Sequence, residues 1–232
     1  EADPNETIWQ VSHRLGRELP HLCYRNATDY RGDGNCRACV VEVDGDKALS
    51  ASCIRKPQPG MVVYTNSDRA KQSRNMVMEL LLSDQPKPEG EFKRWLSEMN
   101  IEESRMPGKD LVDSDKSHTA ISVDLNKCIH CQLCIQACRE IQGNDVIGMA
   151  TRGASSAIIF DIGDPMGGST CVACGECVQV CPTGALMPSS VVDHKGLGHT
   201  DIDKTVQSVC PYCGVGCQIE YNVKDNKITK IM

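Results

Sequence analysis

Fifteen of the 232 residues are cysteines, and their spacing sorts them into three blocks. Cys23, Cys36, Cys39 and Cys53 form the first. The second holds two runs, Cys128, Cys131, Cys134 and Cys138, then Cys171, Cys174, Cys177 and Cys181; the third holds Cys210, Cys213 and Cys217. A thiolate is a soft metal ligand, and C-x2-C spacing favours two sulfurs sharing one metal centre over two sulfurs bonding each other. A disulfide framework is the ordinary alternative in a cysteine-rich chain, but it fits poorly with an odd count and with pairs so close in sequence. Two metal chemistries remain, four-cysteine zinc and iron-sulfur clusters.

The elements around each block narrow that choice. In residues 1–66, Asn5 is placed to cap a short helix with Ile8, Val11 and Leu15 on one face and Gly16 at its end. Pro20 turns the chain towards Cys23. The loop Arg31-Gly32-Asp33-Gly34-Asn35 leads into Cys36-Arg37-Ala38-Cys39, and Val40 to Val43, the turn Asp44-Gly45 and a return strand ending near Cys53 predict a hairpin. That hairpin brings Cys39 beside Cys53. A glycine-rich loop lets backbone N–H groups approach sulfur, which suits a [2Fe-2S] cluster on Cys23, Cys36, Cys39 and Cys53.

Residues 67–119 read as a helical connector without cysteine. Arg69 to Leu82 predicts a helix with Met76, Val77, Leu80 and Leu81 on its apolar face, stopped by Pro86 and Pro88. A second helix spans Glu91 to Met99 and carries Phe92, Trp95 and Leu96. These residues, with Met76 and Met78, read as packing side chains. His118 has no neighbouring ligand and is expected to be exposed.

Residues 120–190 contain the duplicated C-x2-C-x2-C-x3-C signal, the second copy followed by Pro182 and Thr183-Gly184-Ala185-Leu186. This resembles the bacterial two-cluster ferredoxins, in which the fourth cysteine of each run serves the other cluster. The resemblance implies one [4Fe-4S] cluster on Cys128, Cys131, Cys134 and Cys181 and a second on Cys138, Cys171, Cys174 and Cys177. His130, between two ligands, is a neighbour of the cluster. In residues 191–232, Cys210-Pro211-Tyr212-Cys213-Gly214-Val215-Gly216-Cys217 precedes strand-like Gln218 to Val223, a turn at Asp225-Asn226 and Ile228 to Ile231. It supplies three ligands without a fourth, and Ile228 to Ile231 has nothing evident to pair with.

Composition agrees with metal-held domains. With 4% aromatic and 40% hydrophobic residues, several small domains have little apolar area for separate cores, so bound metal is expected to substitute. A net charge of −6 without a basic stripe argues against nucleic-acid binding. No apolar stretch approaches the ~20 residues of a membrane span, no signal peptide is visible, and the free cysteines point to a reducing, cytoplasmic location. No G-x-G-x-x-G motif is present, so a dinucleotide is expected to bind elsewhere.

The first block, through the loop from Cys23 to Cys39 and Ala51-Ser52-Cys53-Ile54-Arg55, resembles the β-grasp [2Fe-2S] domain that opens the large peripheral-arm subunit of respiratory complex I and its relatives. Relative to that family the domain begins late, as if clipped, and the connector lacks the family's additional His-plus-three-Cys cluster. Cys210 to Cys217 resembles the N-terminal [4Fe-4S] motif of molybdenum- or tungsten-bis(pyranopterin guanine dinucleotide) oxidoreductases. There the fourth cysteine lies downstream, which implies a third [4Fe-4S] cluster on Cys210, Cys213 and Cys217 completed beyond Met232.

The block order, with Gly34 to Cys39, Asn144 to Met149 and Cys171 to Cys177, is similar to the large, alpha subunits of NAD-dependent formate dehydrogenases. Membership there implies an α+β chain in four parts: a [2Fe-2S] domain (1–66), the connector (67–119), a two-[4Fe-4S] ferredoxin domain (120–190) and the start of the molybdenum or tungsten domain (191–232). It implies formate oxidation to carbon dioxide at the metal-pterin centre and relay of single electrons through the clusters to a beta subunit holding flavin, NAD and its own clusters. The formate site lies outside the 232 residues, so no catalytic residue carries over. An electron-relay subunit of an NAD-linked hydrogenase or diaphorase is the alternative, and a zinc-held structural protein is a third reading.

Overall fold

The computed structural model describes residues 2–27, 29–85, 87–192 and 202–231. Helix α1 (Ile8–Arg14) starts at a capping box: Thr7, not Asn5, accepts from the Gln10 amide, and the Gln10 side chain accepts from the Thr7 amide. Gly16 follows the helix at φ +73°, the left-handed C-terminal position expected of it. The buried face is Ile8, Trp9 and Ser12, whereas Leu15 is 65% exposed, so the expected stripe through Leu15 is corrected. Trp9 sets the rotation. Its indole N–H donates to the Leu19 carbonyl at 3.3 Å, its ring stacks on His13, and it meets His21 and Tyr24 edge-on.

Strands β1 (Val40–Val43) and β2 (Ser50–Ala51) form the expected antiparallel hairpin, with Val40 opposite Ala51, and β3 (Val63–Tyr64) pairs on the other edge of β1. Helix α2 (Asp68–Ser83), capped by Ser67, lies against β1. It buries Ala70, Arg74 and Met78, an i, i+4 stripe, while the expected Met76 and Leu80 are exposed. A charged residue in the inward stripe broke the apolar pattern from which the face was read. The helix ends at Ser83; Pro86, one of its expected terminators, lies outside the described residues.

Helix α3 (Gly90–Glu98) buries Phe92, Trp95 and Leu96 as expected, in a core that also contains Leu22, Cys23, Cys36, Met78, Ile129, Cys131 and Leu133. That core joins the first cysteine block to the second. The second block sits between β4 (Ile121–Val123) and β7 (Leu186–Pro188), which pair antiparallel, and a hairpin of β5 (Ile147–Ala150) and β6 (Ala157–Phe160). Helix α4 (Leu133–Gln136) runs into a π-helical turn, Ala137–Ile141, and helix α5 (Glu176–Val180) is its counterpart in the second run. His118 is half-buried rather than exposed, since its Nδ1 accepts from the Ala120 and Ile121 amides at 3.1 Å each and so clasps the turn into β4.

Strands β8 (Lys204–Val209), β9 (Gln218–Lys224) and β10 (Lys227–Ile231) make an antiparallel sheet in the order β10-β9-β8. Asp225 and Asn226, at φ +49° and +59°, form the expected turn between the last two strands. Ile228 and Ile231 pair with Val223 and Tyr221, so the expectation that this stretch lacks a partner is overturned. Strand β8 was not anticipated; four of its first five residues are exposed, and no buried alternation announces it. Among the described residues no helix is long and apolar enough to cross a membrane.

Candidate metal centres

The first block converges completely. Cys23, Cys36, Cys39 and Cys53 are buried, none more than 7% exposed. The Cys36 amide donates to Cys23 Sγ at 3.3 Å, and the Ser52 hydroxyl and amide both donate to the Cys39 carbonyl, fastening the turn that presents Cys53. Side-chain hydrogen bonds from the Cys36 and Cys53 thiols hold Cys23 down to about 3, and the Cys53 thiol holds Cys39 down to about 7. The same contacts, joined by burial, push Cys36 and Cys53 up. Four sulfurs thus share one dry site in which Cys23 and Cys39 are biased towards the thiolate, the form that ligates metal, and Cys36 and Cys53 away from it. Gly32 has a further role beyond admitting N–H groups: a Cβ there would lie 2.5 Å from the Cys53 carbonyl oxygen, so only glycine allows the loop to close on Cys53.

The second block converges in crossed fashion. Cys128, Cys131, Cys134 and Cys181 line one cavity, walled by Leu125, Ile129, Ile158 and Leu186. Cys138, Cys171, Cys174 and Cys177 line another, with Ile121, Val146 and Ile147. Each cavity takes three sulfurs from one run and the fourth from the other. The two runs also repeat each other's backbone: His130 and Ala173 are left-handed at φ +53° and +58°, as are Gln132 and Gly175 at +67° and +79°. Those turns swing the His130 amide to Cys128 Sγ and the Ala173 amide to Cys171 Sγ, both at 3.4 Å, and the Val146 amide reaches Cys138 Sγ at the same distance. A left-handed non-glycine residue costs roughly 1–2 kcal/mol, and its recurrence at matched positions marks the loops as built for what they enclose. Burial pushes the Cys131 and Cys134 thiols up and Cys177 up to about 12, the disfavour an anionic sulfur meets until a cation joins it.

Polar contacts tie the first site to the second block. Asn35, next to Cys36, donates its side-chain amide to the Cys131 carbonyl at 3.2 Å. The Tyr30 hydroxyl donates to Glu176 at 2.7 Å, the Gln136 amide to Asp33 at 2.7 Å, and Arg31 pairs with Glu140. Sequence reading missed these contacts, which join residues far apart in the chain and follow no local pattern.

The third block stands differently. Cys210 follows β8 and Cys217 precedes β9, with Val209 opposite Gln218 and the Cys210 amide bonded to the Cys217 carbonyl at 2.8 Å, so the run caps a hairpin. Cys213 and Cys217 are exposed, as are Tyr212 and Val215. The run supplies three thiols and no fourth.

The donor sets fit iron-sulfur groups. All eight thiols of the second block face the two cavities, backbone N–H groups are aimed at sulfur, and the walls are apolar. Among the described residues no three His, Cys, Asp or Glu side chains are arranged to hold a single metal ion.

Comparison with known proteins gives the same chemistry. Residues 1–68 match the family described as 2Fe-2S iron-sulfur cluster binding domain, residues 119–187 the ferredoxin-like domain of NADH-quinone oxidoreductase subunit 3, and residues 203–232 the molybdopterin oxidoreductase Fe4S4 domain. The chain is 35% identical to the NADP-reducing hydrogenase subunit HndD of Solidesulfovibrio fructosivorans over 78% of its own length and 33% of that protein's. It is 29% identical to the NADPH-Fe(3+) oxidoreductase subunit alpha of Geobacter sulfurreducens (strain DL-1 / KN400) over 97% of its own length and 27% of the relative's. It therefore spans about a quarter to a third of these curated relatives. A chain in the structure of an NAD+-reducing [NiFe]-hydrogenase in the H2-reduced state superposes with a TM-score of 0.74 at 26% identity, covering 87% of this chain and 86% of that one. With segments matching a [2Fe-2S] domain, a ferredoxin-like domain and an Fe4S4 domain in series, the chain is an iron-sulfur electron-transfer module.

Proposed function

We propose that this chain conducts single electrons between a molybdenum- or tungsten-pterin centre that oxidises formate and a flavin- and NAD-binding partner. Cys23, Cys36, Cys39 and Cys53 hold a [2Fe-2S] cluster; Cys128, Cys131, Cys134 and Cys181 hold one [4Fe-4S] cluster, and Cys138, Cys171, Cys174 and Cys177 a second. Cys210, Cys213 and Cys217 contribute three ligands of a third. The four-part division at 1–66, 67–119, 120–190 and 191–232, with a β-grasp first domain, belongs to the same reading. The observation that carries it is the pair of cavities, each lined by three cysteines of one run and one of the other.

Bound iron-sulfur groups supply one-electron oxidation and reduction, which converts the two-electron chemistry of formate and NAD into single steps. The chain's residues do the rest. Leu125, Ile158 and Leu186 exclude water from one cavity, Ile121 and Ile147 from the other, and the His130, Ala173, Val146 and Cys36 amides stabilise negative charge on sulfur. Asn35 holds the first site against Cys131, keeping two sites within one rigid core.

Formate as electron source rests on the resemblance through Cys210 to Cys217 and the order of the blocks. The similarity to hydrogenase chains supports a second reading, relay in an NAD-linked hydrogenase. The native complex, isolated anaerobically and given formate or hydrogen, separates the two. Formate-dependent bleaching of the iron-sulfur absorption and NAD reduction are expected, and reduction by hydrogen but not by formate would select the second reading.

A further inference from the structure

Arg74 is 5% exposed on the inward stripe of α2. A guanidinium keeps its charge under all ordinary conditions, and burying one costs several kcal/mol unless an anion compensates. The acceptors of Arg74 are neutral: Nη1 donates to the Val40 carbonyl at 3.1 Å and the Thr65 carbonyl at 2.7 Å, and Nη2 to Asn66 Oδ1 at 3.4 Å. Among the described residues it enters no ion pair, although nearby Arg69 on the same helix does, with Glu42. Val40 directly follows Cys39, so the guanidinium sits against the backbone that carries a first-block sulfur. Burial presses its pKa down and the Cys39 sulfur opposes that shift.

We infer that Arg74 is a charge-tuning, positioning residue for the first cysteine site, its anion being the thiolate-bound [2Fe-2S] group and its effect a raised reduction potential. The inference rests on the proposed assignment of Cys23, Cys36, Cys39 and Cys53. Reduction adds one electron, and no proton, to a group already anionic, and a fixed cation in a dry site favours the more negative state. The carbonyl contacts alone describe a clasp joining α2 to β1. A clasp needs donors but not a charge, and that difference is measurable.

The test is a spectropotentiometric titration of the full chain, following the [2Fe-2S] spin-resonance signal with the [4Fe-4S] signals as internal reference. Arg74→Gln keeps donors and removes the charge; Arg74→Lys keeps the charge. Asn66→Asp sits on the exposed side and neutralises Arg74 without disturbing the interior, so it decides the matter if Arg74→Gln fails to fold. Arg74→Gln is expected to lower the reduced-to-oxidised ratio at fixed potential about tenfold, which is about 59 mV for one electron. Asn66→Asp should shift it the same way by less, and Arg74→Lys should stay near the unaltered chain. Unchanged potentials in both Arg74→Gln and Asn66→Asp, or in Asn66→Asp alone if the other does not fold, would overturn the inference. Absence of any [2Fe-2S] signal from the unaltered chain, with [4Fe-4S] signals present, would overturn the ligand assignment beneath it.

Discussion

The first two cysteine blocks and the third use the same ligand chemistry in opposite settings. Around Cys23 to Cys53 and in the paired runs, each sulfur has three companions, and backbone amides point at Cys23, Cys128, Cys138 and Cys171. At Cys210 to Cys217 three thiols crown a hairpin whose tip is open to solvent. The difference teaches that cysteine spacing sets which sulfurs can meet, while closure of a site needs elements from elsewhere. The two sites of the paired runs obtain them by crossing. Cys181 reaches back to the first run and Cys138 forward to the second, across β4–β7 pairing and the α4–α5 contact.

The sharpest way to break that comparison is to remove a crossing sulfur. Cys181→Ser should abolish or convert the [4Fe-4S] signal of the Cys128 to Cys134 site and spare its neighbour, and Cys138→Ser should do the reverse, as read by spin resonance and iron content. Loss of the signal from the mutated residue's own run in both variants would refute the crossed assignment.

A second effect separates closed from open sites by reactivity. Cys174 and Cys213 are both exposed side chains. In residues 1–232 loaded anaerobically, where the third site has three sulfurs only, alkylation followed by mass spectrometry should modify Cys213 and Cys217 readily while sparing Cys174, whose sulfur is engaged. Equal modification of Cys174 and Cys213 would erase the distinction.

The smallest expected effect lies in the left-handed turns. Gly175→Ala introduces no clash, because nothing lies within 4 Å of its Cβ, but the residue sits at φ +79° and the change should cost roughly 1 kcal/mol of stability. Gly148→Ala, equally free of neighbours and without a positive φ, should cost nothing. Chemical denaturation of the loaded chain checks the pair, and equal costs would remove the conformational argument for these loops.

Much of the local architecture was legible because its signals are local. The Asp44-Gly45 hairpin, α3 with its aromatic face and the Asp225-Asn226 turn all follow from spacing and turn chemistry. What escaped depended on tertiary context. Trp9 rotated α1 away from the Leu15 stripe, and Arg74 occupies an inward position that apolar periodicity cannot nominate. His130, Gln132 and Ala173 adopt left-handed backbone without the glycine that would announce it. Asn35 finds Cys131 across 96 positions, a contact no window of sequence contains. The cysteine sets themselves were readable, yet the cavities that separate them into two groups of four appear only in three dimensions.

The central claim is that these thiols hold iron-sulfur clusters rather than single metal ions. Anaerobic analysis of iron, acid-labile sulfide and zinc on the same sample, with spin-resonance spectra after stepwise reduction, tests it most directly. The account predicts about ten irons per chain from the closed sites, matched by sulfide, with one [2Fe-2S] and two [4Fe-4S] signals. Stoichiometric zinc, no labile sulfide and no reducible centre would contradict it.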